Sequence, residues 1–147
     1  MAWSGALPYF AEHELACRGS GAIRLHDTFA VALPALRLAW GPLTPTSVCR
    51  SIAYNGEVGG HPRSLHLTNN PHHPTDGCMA ADIDWRGWSE ERRLAFAQLA
   101  WDMGWSIGLH PTFCHIDRRR DIDLRQAVFE YTSWGGAFGS AQITEYV

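Results

Sequence analysis

Three short segments concentrate side chains that bind metals: Ser64-Leu65-His66, Ala80-Ala81-Asp82-Ile83-Asp84 and His115-Ile116-Asp117. A catalytic zinc site takes three protein ligands from histidine and carboxylate and leaves the fourth position open. Two histidines and one aspartate would leave such a site with a net charge of about +1, enough to bring the pKa of a bound water toward neutrality. Eight histidines are spread along the chain. A lone histidine is more often a surface group or a satisfied core residue, so spacing alone leaves a metal site as one reading among several.

The elements that must carry these residues are partly legible. Phe29, Leu33, Leu36 and Trp40 recur at the spacing of one helical face, which predicts a helix over Asp27–Trp40. Pro34 should kink that helix or delay its start, and Gly41-Pro42 should end it. Thr46–Ser51 reads as a short strand, followed by a Gly- and Asn-containing loop through Gly60 and a polar loop over 67–77. Met79–Trp85 reads as a strand with Asp82 and Asp84 on one side. Ser89 is a good N-cap for a helix running to Met103 that buries Phe96, Leu99, Ala100 and Met103, with Gly104 supplying the left-handed turn. Ser106–Leu109 and Phe113–Arg118 read as two strands around a turn at Pro111. Two ligands on adjacent strands would make a rigid site. Residues 1–25 and the Gly-rich tail from Gly135 carry no clear pattern. The order of elements predicts one α+β domain over residues 1–147, with a mostly antiparallel sheet flanked by helices.

Bulk composition narrows the classes. The 147 residues are 46% hydrophobic and 18% charged, which argues against a disordered chain and suffices for a real core. The net charge is −3, and no basic tract is longer than Arg118-Arg119-Arg120, which argues against a nucleic-acid partner. The seven tryptophans fit core packing, with an aromatic-lined cleft for a polymer as the alternative. Cys17, Cys49, Cys78 and Cys114 stand far apart with no C-x-x-C pair, which argues against zinc on thiolates and leaves a disulfide framework open but unsupported. No stretch approaches membrane-spanning length, and Met1–Glu12 lacks a basic region followed by a long apolar run. These features predict synthesis in the cytoplasm without a Sec signal and no membrane insertion.

The run from Cys49 to His66, C-R-S-I-A-Y-N-G-E-V-G-G-H-P-R-S-L-H, resembles the M15 family of zinc peptidases. More narrowly, it is similar to the D-Ala-D-Ala carboxypeptidase/endolysin branch common in bacteria and their phages. Ala80-Ala81-Asp82-Ile83, Gly104-Trp105-Ser106-Ile107-Gly108 and Phe113-Cys114-His115-Ile116-Asp117 continue the pattern, in order, to about residue 120. The resemblance implies a hedgehog/D-Ala-D-Ala peptidase-like fold with one Zn2+ in a central cleft, held by His66, Asp82 and His115. It implies that Arg50 binds substrate and stabilises the transition state, a role suited to a planar, permanently charged fork. Ser64 is expected on the strand face of His66, lining the cleft or bonding the ligand shell. Asp84 and Asp117, each two residues beyond a ligand, either orient ligand imidazoles or pair with Arg118 or Arg119.

Two departures stand out. His66 and Asp82 lie sixteen residues apart, where the family usually has seven, so nine residues are added near Thr68–Asp76. That segment reads as a solvent loop or a lid, and its His73 and Asp76 compete with Asp82 as the second ligand. The position three before the last histidine, often the acidic general base, is Thr112. Asp117, His110 and the inserted loop are the candidate replacements. The expected function is hydrolysis of a peptidoglycan stem or cross-link peptide, by a phage or prophage enzyme acting after lysis or carried with tail proteins in a virion. The competing reading is a catalytically inactive zinc-bearing module of a phage particle.

Overall fold

Strand alternation decides which residues face the core and which face the site. In the computed structural model, which describes residues 2–73 and 76–144, five strands form one sheet. They are β1 (Pro45–Ser47), β2 (Ala80–Asp84), β3 (Ser106–Leu109), β4 (Phe113–Asp117) and β5 (Val128–Glu130). The spatial order is β1-β2-β4-β3-β5, antiparallel except for the parallel pair β3–β5. Ala81, Ile83, Ile107, Leu109, Cys114 and Ile116 alternate onto one face and join the main hydrophobic core. The intervening residues, Asp82 on β2, Gly108 on β3, and His115 and Asp117 on β4, fall on the opposite face. The same period of two thus builds the core and the site.

Among the described residues five α-helices accompany the sheet, α1 (Glu12–Leu15), α2 (Asp27–Trp40), α3 (Ile52–Glu57), α4 (Glu90–Asp102) and α5 (Ser140–Thr144), with a 3-10 turn at Arg119–Ile122. Ser89 Oγ accepts from the Arg92 amide at 3.1 Å and caps α4, and Gly104 beyond its end has φ +92°, a conformation costly for any other residue. The helix packs against β3 through Phe96, Ala97 and Ala100, with Leu99 and Met103 only half-buried. α2 packs against α4 and buries Phe29, Leu33 and Leu36. It runs unbroken through Pro34, which neither delays its start nor ends it. Only the bond to the Ala30 carbonyl is forfeited.

The structure departs from the sequence reading around β1. That strand stops at Ser47, and the residues expected to form a loop make α3 instead, because Ser51 turns to cap it by accepting from the Tyr54 amide at 3.1 Å. Most of the tryptophans pack in or against the core: Trp85 and Trp105 are fully buried and Trp134 packs on Trp85 and Phe138, whereas Trp3 is exposed. All four cysteines are buried free thiols. Among the described residues no helix is long and apolar enough to cross a membrane. Residues 74–75 of the inserted loop and 145–147 of the tail lie outside the described residues.

Candidate metal centre

Asp82 on β2 and His115 on β4 are register partners across an antiparallel pair, so their side chains rise together from the same face of the sheet. Asp82 Oδ1 lies 3.0 Å from His115 Nδ1 and 3.1 Å from His66 Nε2. One ligand atom from each of the three residues lies within 4.8 Å of the others, and all three residues are buried. Zinc bonds of about 2.0–2.2 Å in a tetrahedron would set neighbouring ligand atoms about 3.3–3.6 Å apart, so the observed convergence fits the ion.

His66 arrives differently. It sits on a turn, not a strand, and Ser64, just before that turn, is in no strand either. The Arg50 amide donates to the His66 carbonyl at 2.8 Å, and Ser64 Oγ accepts from the His66 amide at 3.1 Å. His66 Nδ1 donates to the Val48 carbonyl at 2.7 Å, which leaves the Nε2 lone pair facing Asp82. The mirror arrangement holds His115: its Nε2 donates to Asp117 Oδ2 at 2.8 Å and its Nδ1 faces the centre. Each imidazole is therefore oriented by a partner on its far nitrogen, as in established zinc sites.

Asp117 thus combines both roles considered for it, since Arg119 also binds its Oδ1 and Oδ2 at 2.9 and 2.7 Å. Asp84 is taken by Arg86, at 3.0 and 2.8 Å, away from the imidazoles. His110 stacks on Phe113 with ring centres 4.0 Å apart, and its Nδ1 accepts from the Thr112 amide, so Thr112 belongs to the hairpin turn. Arg50 is half-enclosed. It donates to Asp82 Oδ2 at 3.3 Å, Asn55 Oδ1 at 3.3 Å and Ser47 Oγ at 3.0 Å. Gly60 makes room for Asn55, because a Cβ there would collide with the amide oxygen that holds Arg50.

The electrostatics follow from this packing. Burial pushes His66 toward its neutral form and outweighs the attraction of Asp82. Burial also opposes a charge on His115, but its bonds to Asp117 and Asp82 win and raise its pKa to about 9. Burial works against the ionised forms of Asp82 and Asp117 as well. The imidazoles around Asp82, and Arg119 with His115 around Asp117, nonetheless hold both carboxyls well below the usual range.

The three converging side chains line a cleft of about 680 Å³ together with Arg50, Ser64 and Asp117. The inserted loop forms part of its wall through His73. This loop is fastened: the buried Asn70 amide donates to the Arg63 and Ser64 carbonyls and accepts from the His72 and His73 amides. Asp76 pairs with Arg24 instead of approaching the metal ligands. The apolar wall is Phe113, Phe129, Leu124 and Tyr131. Of these cleft residues, Leu124, Phe129 and Tyr131 lie beyond every motif legible in the sequence. Val48 escapes notice because it contributes only a backbone carbonyl.

No curated protein matches the chain. The profile of the Peptidase M15 family matches residues 8–117. That span takes in Arg50, Ser64 and all three converging ligands and ends on Asp117, and the chain belongs to the Peptidase M15 family.

Proposed function

We propose that this peptidase binds one zinc ion through His66, Asp82 and His115 and hydrolyses a peptide bond in the stem or cross-link peptide of bacterial peptidoglycan. The observation that carries the reading is the convergence of two oriented imidazoles and a carboxylate on the floor of an open cleft. The wall-peptide substrate is supported by the branch motifs around Arg50, Ser64 and Asp82. The same likeness supports a phage-derived wall enzyme, acting after lysis or from the virion.

When bound, zinc supplies the Lewis acidity for attack on the peptide carbonyl. The chain's own residues do the rest. Asp117 fixes the His115 ring through Nε2, and the Val48 carbonyl fixes His66 through Nδ1. Arg50 binds the substrate carboxylate or the developing oxyanion. Three of its roughly five N–H groups are engaged by Asp82, Asn55 and Ser47, so its plane is set before substrate arrives. Ser64 lines the cleft and braces the His66 turn. Proton exchange falls to His73. Asp117 has both oxygens occupied, His110 is stacked outside the cleft lining, and His61 Nδ1 already accepts from the Arg63 amide.

The test is digestion of purified peptidoglycan by the zinc-loaded protein, with and without a chelator, beside a His66→Ala variant. Chelator-sensitive release of new amine and carboxyl ends is expected, and mass spectrometry of the muropeptides identifies the bond. One equivalent of zinc with no ends released would defeat the enzyme reading and leave an inactive zinc-bearing module.

A further inference from the structure

Tyr131 lies immediately after β5, outside residues 8–117 that the family profile covers. Its amide donates to the Leu109 carbonyl at 3.0 Å, which fixes its backbone to the end of β3. Its ring is held by three others: His110 at 5.1 Å and 86°, Phe113 at 5.5 Å and 77°, and Phe129 at 5.5 Å and 52°. Phe129 in turn packs 5.6 Å from the His115 ring. This side chain is held one ring away from His115, through Phe129, and lines the same cleft as Arg50, Asp82 and His115.

The hydroxyl is the unexplained part. Packing against three aromatic rings needs only the ring, which phenylalanine would supply. A phenolic hydroxyl on the wall of a cleft, with no protein partner, is free to donate to whatever occupies that cleft. Among the described residues the Tyr131 hydroxyl has no such partner. Burial raises its pKa and the charge of Asp82 raises it further, while Arg50 opposes. The group therefore remains an O–H donor over the whole neutral range. A rigid neutral donor is what a developing oxyanion requires, because it needs no reorganisation as charge builds.

We propose that the Tyr131 hydroxyl donates a hydrogen bond to the scissile carbonyl oxygen as it becomes an oxyanion, making Tyr131 a catalytic residue alongside Arg50. The proposal rests on the peptidase reading above, and its test separates the two. The zinc-loaded full chain, Tyr131→Phe and Tyr131→Leu are compared in three measurements: kcat and KM on peptidoglycan stem peptide, calorimetric binding of an alanyl-alanine phosphinate, and zinc content with thermal midpoint. The phosphinate carries tetrahedral anionic oxygens like those of the transition state.

Tyr131→Phe is expected to lower kcat about a hundredfold, the usual effect of losing one oxyanion donor. KM should stay within about twofold, phosphinate affinity should fall in parallel with kcat, and zinc content and midpoint should hold. Tyr131→Leu should also lower the midpoint. If Tyr131→Phe binds the phosphinate as well as the parent does, the hydroxyl has no such role and only the ring matters. If the parent binds the phosphinate in a Tyr131-dependent way but releases no ends from wall peptide, the donor role stands and the wall substrate is wrong.

Discussion

Asp82 and His115 face each other across β2 and β4, with Asp82 Oδ1 3.0 Å from His115 Nδ1. A single carboxylate oxygen also meets His66 Nε2, so the same atom that would bind the metal organises the site before the metal arrives. Because strand side chains alternate, slipping β2 against β4 by one residue would send these two ligands to opposite faces. The core residues Ile83 and Cys114, also register partners, oppose that slip by the same geometry.

The first prediction concerns protons. His115 has a pKa of about 9 against an ordinary 6.5, so at pH 7 it carries a proton that zinc must displace. Calorimetric titration with zinc in buffers of different ionisation enthalpy should show release of about one proton per ion at pH 7, fading above pH 9. The same shift sets the stability of the metal-free protein. Because the folded value is raised, the stabilisation from charged His115 is complete below about pH 6.5 and is lost as pH rises through about 9.

A second prediction separates two aspartates that occupy equivalent places in the sequence. Asp117→Asn removes the charge that orients His115 and leaves Arg119 without its carboxylate, so zinc affinity should fall about 10–100-fold in a chelator competition. Asp84→Asn disturbs only the Arg86 pair and should leave zinc affinity within about twofold. Equal losses from both variants would contradict the assignment of Asp117 as the positioning residue.

Gly108→Ala tests how the aromatic wall meets the ligands. A Cβ at Gly108 would stand 2.5 Å from a Phe129 ring atom and 3.0 Å from His115 Cβ. Overpacking of this kind costs about 1–3 kcal/mol, so the melting temperature should drop and zinc should bind less tightly. An unchanged melt would show that Phe129 can move aside.

The inserted loop supplies the fourth prediction. Asn70 is 2% exposed, and its amide makes four hydrogen bonds to backbone groups. Asn70→Ala should cost about 1–3 kcal/mol in denaturant unfolding, since it strands buried backbone groups. It should also lower peptidase activity by releasing His73 from the cleft. His73→Ala should lower kcat while leaving zinc stoichiometry at one. A kcat equal to the parent's would remove His73 from the proton-exchange role.

Much of the site was legible because its ligands sit in linked, locally patterned segments. Asp82 and His115 lie in strands whose alternation shows in the sequence, and helix α4 announces itself through Ser89 and Gly104. The turn carrying His66 was misread as a strand, since its conformation comes from contacts with Val48, Arg50 and Met79 that lie distant in sequence. Helix α3 was missed because Asn55-Gly56 has poor intrinsic helix propensity. The segment is held by the Ser51 cap and by Asn55 Nδ2 donating to the His61 carbonyl at 2.9 Å. Strand β5 has only three residues and pairs in parallel with β3, a long-range choice that no local pattern encodes. Tyr131 could not have been found without it.

His66 differs from its two partners in what carries it, and this sets how the site exchanges its ion. Asp82 and His115 belong to central strands, which open only when the sheet does. His66 rides a turn tied down by a few bonds, among them Arg50 N to His66 O and Met79 N to Leu65 O, both at 2.8 Å. Such a turn can open locally at far less cost than the whole domain. Loss of a bound metal would therefore begin with opening of residues 64–68. Changes that loosen this turn should speed metal release while the melting temperature of the protein hardly moves.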